Sequence, residues 1–316
     1  MNGMMANAAG PRIAMLRIRL RLTWASVRRD WAVFRRSKAG LTGLAIMGFY
    51  FLLMAAYPVA SHTVWSSRVY DPVIGYDPRE TQQPAPPNAR HWLGTDPLGR
   101  DVLSQLMAST RSEFVLGVFA ALVTVVVATF VGAASAYFGG WIDAVLMRFA
   151  DLMLMLPMIS VLLVLSAFMN VGMLELGIII GLLGGFGGVG IVLKSQALKL
   201  KVQPFIEAAR IAGAGPFFVI RSHIVPGLIP FSLLYMMFTV SAAIFSEAIL
   251  SYLGLMSAQT SWGAMLNVTQ SRGYMQFDDY WWLVFPASLS VTLLSASFYL
   301  VGRALDEVVN PRLRSQ

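Results

Sequence analysis

The chain contains no cysteine, which excludes disulfides, thiolate nucleophiles and cysteine-ligated metals. Charge is scarce as well: 13% of the 316 residues are Asp, Glu, Lys or Arg, against the roughly 25% usual in soluble domains. Three histidines, His62, His91 and His223, stand far apart and outside any H-E-x-x-H pattern, so no zinc ligand set is apparent. Neither a G-x-x-x-x-G-K-[ST] loop, which would cradle ATP, nor a G-x-S-x-G nucleophile elbow is present. Enzymatic chemistry by this chain alone is therefore not expected, and neither is a metal or cofactor of its own.

What the chain has in abundance is apolar sequence: 57% hydrophobic residues and a mean hydropathy of +0.64. Six intervals lack charge altogether, 39–67, 114–142, 152–174, 176–193, 222–246 and 280–302. Each approaches or exceeds the ~20 residues that cross a ~30 Å hydrocarbon core. The spacing predicts an all-α integral membrane protein of six transmembrane helices, with 176–193 the shortest and most glycine-rich.

The net charge of +8 would suggest nucleic acid in a soluble protein, so the position of the basic residues decides its meaning. Placing the N-terminus inside puts 18 of the 24 Lys and Arg on the cytoplasmic side. Arg68, Arg79, Arg90, Arg100, Arg111 and Arg272 remain outside among a larger number of acids, including Asp71, Asp96, Asp101 and Glu113. The positive-inside rule thus predicts both termini in the cytoplasm, and topology accounts for the charge without any nucleic acid.

Three regions follow: a basic cytoplasmic segment 1–38, a six-helix domain 39–305 and a cytoplasmic tail 306–316. Apolar residues from Ile13 to Phe34 recur at helical steps between arginines, as in a helix lying on the bilayer surface. External segments are expected at 61–112 and 253–281. Pro58, Pro72, Pro78, Pro84, Pro86 and Pro87 make 61–95 irregular, after which Asp96 and Pro97 suit the cap and first position of a helix.

Gly185 to Gly190 reads G-F-G-G-V-G, formally a dinucleotide fingerprint. The fingerprint requires a preceding strand, whereas "LGIIIGLL" belongs to a span, so close helix packing along a substrate path is the better reading. Phe186, Lys194 and Glu247 are candidates for a translocation path or gate. Glu247 is an acid within a span, and its alternative role is to hydrogen-bond the turn around Ser251 and Gly254. Arg148 and Asp151 read as a weak surface ion pair.

Between the fourth and fifth spans runs "FIEAARIAGAGPFFVIRSHIVPGLIP", Phe205 to Pro230. Pro204 suits the first turn of a short helix through Glu207, Ala208, Ala209 and Arg210, and Gly213 suits its end. Gly215-Pro216 restarts a second short helix, and Pro226 and Pro230 lead into the fifth span. A plain loop would not need this arrangement.

Glu207-Ala208-Ala209, Gly213, Ile224 and Pro226 resemble the EAA loop of ABC importer membrane subunits, here 199–225. "HWLGTDPLGRDVLSQL" (91–106), "AYFGGWIDAVLMRFADLMLMLP" (136–157), "SEAILSYLGL" (246–255), "SWGAML" (261–266) and "NPRLR" (310–314) are similar to the dipeptide/oligopeptide/nickel permease family, its C-type subunit. The resemblance covers about residues 37–315. Where the family commonly reads G-W-P-G-Y-A-R-L-V-R, this chain has "GFGGVGIVLK", with Ile191 in place of an arginine.

The resemblance implies the type I importer permease fold in a bacterial cytoplasmic membrane. Implied partners are a second, homologous permease, two cytoplasmic ATPase subunits that bind ATP and Mg, and an extracytoplasmic peptide-binding protein. Glu207, Ala208, Ala209, Arg210 and Gly213 would couple ATP-driven closure to transport of di- or oligopeptides. The same machinery carrying nickel chelates, glutathione or another small solute stays open, with an ion-gradient-driven transporter as a different class.

Overall fold

The computed structural model describes residues 28–256 and 260–309. Most of the Ile13–Phe34 helix and the NPRLR block lie outside the described residues. Apart from a single isolated bridge between Thr95 and Asp101, the regular structure in these residues is all helical. In chain order the helices are α1 (28–34), α2 (Lys38–Thr63), α3 (Ser67–Tyr70), α4 (Val102–Phe138), α5 (Gly140–Met155), α6 (Met158–Phe168), α7 (Met173–Phe186), α8 (Gly188–Lys201), α9 (Pro204–Ile211), α10 (Pro216–Val219), α11 (Val225–Tyr252), α12 (Trp262–Ser271) and α13 (Trp281–Val309).

Four helical stretches are long and apolar enough to cross a membrane: α2, α4, α10 through α11, and α13 with its leading 3-10 turn. Two further crossings are possible as bent pairs, α5 with α6 at 80° and α7 with α8 at 42°. The span expected at 152–174 is not one continuous helix. α6 has 11 residues and rises only about 16 Å, half a hydrocarbon core. Leu156 is extended (φ −87°, ψ 118°) ahead of Pro157, as the proline ring forces on the residue before it, and the helix breaks there. The span expected at 176–193 instead runs from Met173 to Lys201, bending at Gly187.

α4 is the hub, packed by α2, α7, α8, α11 and α12. Its 37 residues rise about 55 Å, longer than a hydrocarbon core is thick. Its cap is Asp101, whose carboxylate accepts from the Ser104 N–H at 2.6 Å, and not Asp96. Asp96 closes the preceding turn instead, accepting from the Leu98 and Arg100 N–H groups at 2.8 and 2.9 Å. With φ at +81° for Gly99, Pro97 becomes a turn residue rather than the first residue of the helix.

The glycine-rich α7 packs as a ridge. A Cβ on Gly177, Gly181 or Gly185 would stand 2.7, 2.5 and 2.7 Å from Phe119, Val123 and Val127 of α4. Glycines four apart thus let two backbones approach as they could not with side chains between them. At the end of the bundle away from α9, Trp262 of α12 is fully buried and donates its indole N–H to the Leu106 carbonyl at 3.1 Å, locking α12 onto α4. Phe34 of α1 packs on Val301 and Ala304 of α13.

Candidate functional site

The segment from Pro204 to Leu228 is built as an anchored projection. α9 begins with Pro204 in its first turn, where a missing N–H costs nothing. Ile206 is fully buried. It joins Val219, Ile224 and Leu228 in a cluster with Ala133 and Ala136 of α4 and Ala197 of α8. Around that anchor Glu207, Ala208 and Arg210 are exposed and Ala209 is half-buried.

The helix end is a Schellman motif. The Gly213 N–H donates to the Arg210 carbonyl and the Ala214 N–H to the Ala209 carbonyl, both at 3.0 Å. Gly213 sits at φ +86°, and nothing lies within 4 Å of where a Cβ would be. Glycine is therefore required by backbone conformation and not by space.

α10 is not the separate short helix expected. It continues through a π-turn, Ile220–Ile224, into α11 without a break. Pro226 lacks the N–H for an i→i−4 bond and its ring would crowd the Ser222 carbonyl. The wider turn, closed by the Val225 N–H on the Ile220 carbonyl, accommodates it. Ile224 is buried under this turn while Pro226 is exposed.

Two features tie the projection to the bundle. Lys201 donates to the Ala136 carbonyl at 2.9 Å, near the C-terminal end of α4, where a cation meets the negative helix pole. Phe217 forms the rim of an apolar groove of about 900 Å³ between α4 and α11, walled by Phe130, Ile229 and Leu233. The surface around α9 and α10 is strongly apolar: Val202, Ile211 and Phe217 are 79%, 83% and 76% exposed, with Phe205 and Phe218 about half exposed. Such a patch on a charged rim is the signature of an interaction surface.

The chain matches the family described as "Binding-protein-dependent transport system inner membrane component" over residues 125–315. It belongs to this family. It is similar to the dipeptide transport system permease protein DppC of Bacillus subtilis, 32% identical over 289 residues that cover 90% of this chain and 85% of that protein. The oligopeptide permease OppC of the same organism is 31% identical over 89% of this chain and 88% of its own length. The glutathione permease GsiD of Pectobacterium atrosepticum is 29% identical over 92% and 94%. As an inner-membrane transport component, the chain is a multi-pass membrane permease subunit.

The three gate candidates are not brought together in this permease. Phe186 ends α7 and makes an edge contact with Phe149 at 5.0 Å. Lys194 of α8 pairs with Asp143 of α5, which also accepts from Ser135 of α4, so the contact ties three helices together. Glu247 lies near the opposite end of the bundle, fully buried. Its expected alternative is seen: Ser251 donates to Glu247 Oε1. Arg148 and Asp151 form the expected exposed pair at 3.8 Å.

Sequence reasoning counted Glu113 among the external acids and did not single it out as a site residue. Glu113 is fully buried in α4, against Glu247 of α11. Its only sequence signal was local: it shares a helical face with Ser109, Gly117 and Ala120, small residues typical of a packed seam. In the segment between α3 and α4, His91, Asp77 and Asp101 form a second buried cluster, with His91 Nδ1 at 2.8 Å from Asp101 and Nε2 at 3.6 Å from Asp77.

Proposed function

We propose that this chain is one of two permeases lining the path of an ATP-driven importer of di- or oligopeptides, moved by cytoplasmic ATPase subunits through α9. The observation that carries the reading is the projection itself: an eight-residue helix pinned by Ile206, ended by a conformationally obligatory glycine and flanked by exposed Ile211 and Phe217. A groove on a soluble ATPase has an apolar surface to grip, and Ile206 and Val219 convey that grip to α4 and α8. Both termini and α9 then lie in the cytoplasm, and 61–112 and 253–281 face an extracytoplasmic binding protein. Dipeptide and oligopeptide relatives support peptides as the cargo, and glutathione, itself a peptide, is compatible with the same path.

The test uses the complete transporter in proteoliposomes. Ala208→Cys, on the exposed side of α9, should crosslink to an ATPase subunit with a short bifunctional reagent. Gly213→Asp, which forces a side chain into left-handed backbone at about 1–2 kcal/mol, should leave ATP hydrolysis running while peptide uptake falls. Normal uptake by Gly213→Asp, or an Ala208→Cys that captures no ATPase, would show the docking assignment to be wrong.

A further inference from the structure

We propose that the basic run ahead of α2 is a binding surface for anionic phospholipid headgroups, held by α1 at the hydrocarbon boundary on the α9 side of the bundle. Between positions 28 and 38 stand five cations, Arg28, Arg29, Arg35, Arg36 and Lys38, and one acid, Asp30. All five cations are exposed. Arg29 pairs with Asp30 at 3.6 Å, an exposed contact worth little, and the other four enter no ion pair among the described residues. Trp31 is 51% exposed and stacks on Phe34 with ring centroids 5.6 Å apart. Phe34 is in turn buried against Val301 and Ala304 of α13, which fixes the exposed indole and the cations around it to the bundle.

The packing also sets their depth. The uncharged run of α2 starts immediately after Lys38, and that of α13 stops at Arg303. A Cβ on Gly40 would stand 2.5 Å from Ala304 and 3.0 Å from the Phe34 ring, so the two spans change from apolar to charged side by side, with α1 at the same level. Two helices that become charged at one height mark where hydrocarbon gives way to headgroups. The helix α9 lies farther out. It packs at the start of α11, beside Ile224 and Leu228, whereas Gly302 of α13 packs on Met237 and Phe238. The nine residues from Leu228 to Met237 span about 13 Å along the helix. A soluble partner that grips α9 therefore leaves the basic run to lipid. Arg303 is exposed at this level and adds a sixth cation, against Asp306 and Glu307 on the same end of α13. A basic cluster of this size beside a span attracts anionic headgroups by about fivefold per cation, and Trp31 supplies an aromatic suited to headgroup depth.

The test incubates the full-length permease in its transporter complex with mixed micelles carrying radiolabelled phosphatidylglycerol or phosphatidylcholine, and counts the lipid that co-elutes with protein. Phosphatidylglycerol should be retained at least about fivefold over phosphatidylcholine at low ionic strength, and the advantage should shrink in high salt. Arg35→Gln/Arg36→Gln/Lys38→Gln should cut phosphatidylglycerol retention at least about tenfold, whereas Arg35→Lys/Arg36→Lys should keep it, since charge and not shape recognises the headgroup. Arg272→Gln, at an exposed cation that follows α12, is the control and should change nothing. Elution of the variants as intact complexes checks folding, and the comparison of the two lipids on the unaltered protein stands whatever the variants do. Equal retention of both lipids by the unaltered protein, or an advantage that survives the triple variant, overturns the proposal. Survival together with loss of ATPase subunits from the triple variant would assign the basic run to a protein partner instead.

Discussion

His91 has no exposed surface and is flanked by Asp101 and Asp77, with the Tyr70 ring tilted against its own at 5.6 Å. The hydrogen bond to Asp101 raises its pKa most. Burial opposes that, and the charges of Asp101, Asp77 and Glu80 add to the rise. A histidine with a raised folded pKa contributes stability fully present below its unfolded value and lost as pH climbs through the folded one. Thermal unfolding of the purified protein should therefore weaken from about pH 6.5 upward, and His91→Gln should flatten that limb. A His91→Gln variant with an unchanged pH profile would remove the imidazolium from the account. At this scale the Glu207–Gly213 motif was legible because its chemistry is local: a first-turn proline, small exposed alanines and a glycine at the stop. Glu113 was not legible, since a lone acid beside an apolar run reads equally as the outer end of a span. Only the arrival of Glu247, 134 positions later, makes it half of a pair.

Among the elements, α4 and α7 show how little side chain can hold helices together. Gly181→Leu would put a Cβ 2.5 Å from Val123 and 3.1 Å from the Ala120 carbonyl, and should destabilise the protein by about 1–3 kcal/mol through overpacking. Gly48→Leu, where nothing lies within 4 Å, should change stability by less than about 0.5 kcal/mol. Equal melting shifts for the two would contradict the ridge. The glycine periodicity was readable as packing, but the partner helix was not. Helix breaks were only partly readable. The break at Pro157 went unread, because an interval without charge says nothing of where its helix bends, and the 80° turn is set only in the folded chain. The π-turn before Pro226 was invisible, because a proline near a helix start is ordinarily harmless.

For the molecule as a whole, the buried cluster around Ile206 joins α9 to α4, α8 and α11, and under the proposed coupling it is the point through which force on α9 would reach the spans. Ile206→Ala removes the anchor, at about 2–5 kcal/mol for a fully buried aliphatic truncation, without altering the exposed docking face. In proteoliposomes the ATP hydrolysed per peptide transported should rise while ATPase subunits still co-purify. An unchanged ratio would mean that α10 alone conveys the motion. The Lys194–Asp143 contact gives a companion test: Lys194→Asp with Asp143→Lys should restore uptake lost in either single exchange, since the pair ties α8 to α5 by charge and not by shape.

Composition alone determined that this chain lives in a bilayer, because 57% hydrophobic residues in charge-free runs have no other stable solvent. Local chemistry alone determined where the short helix Pro204–Ile211 begins and ends. Tertiary structure decided which helices bend, that Lys194 is neutralised by Asp143, and that Glu113 and Glu247 meet. Those outcomes depend on contacts between segments many residues apart, and side-chain periodicity along one segment carries no information about which other segment will face it.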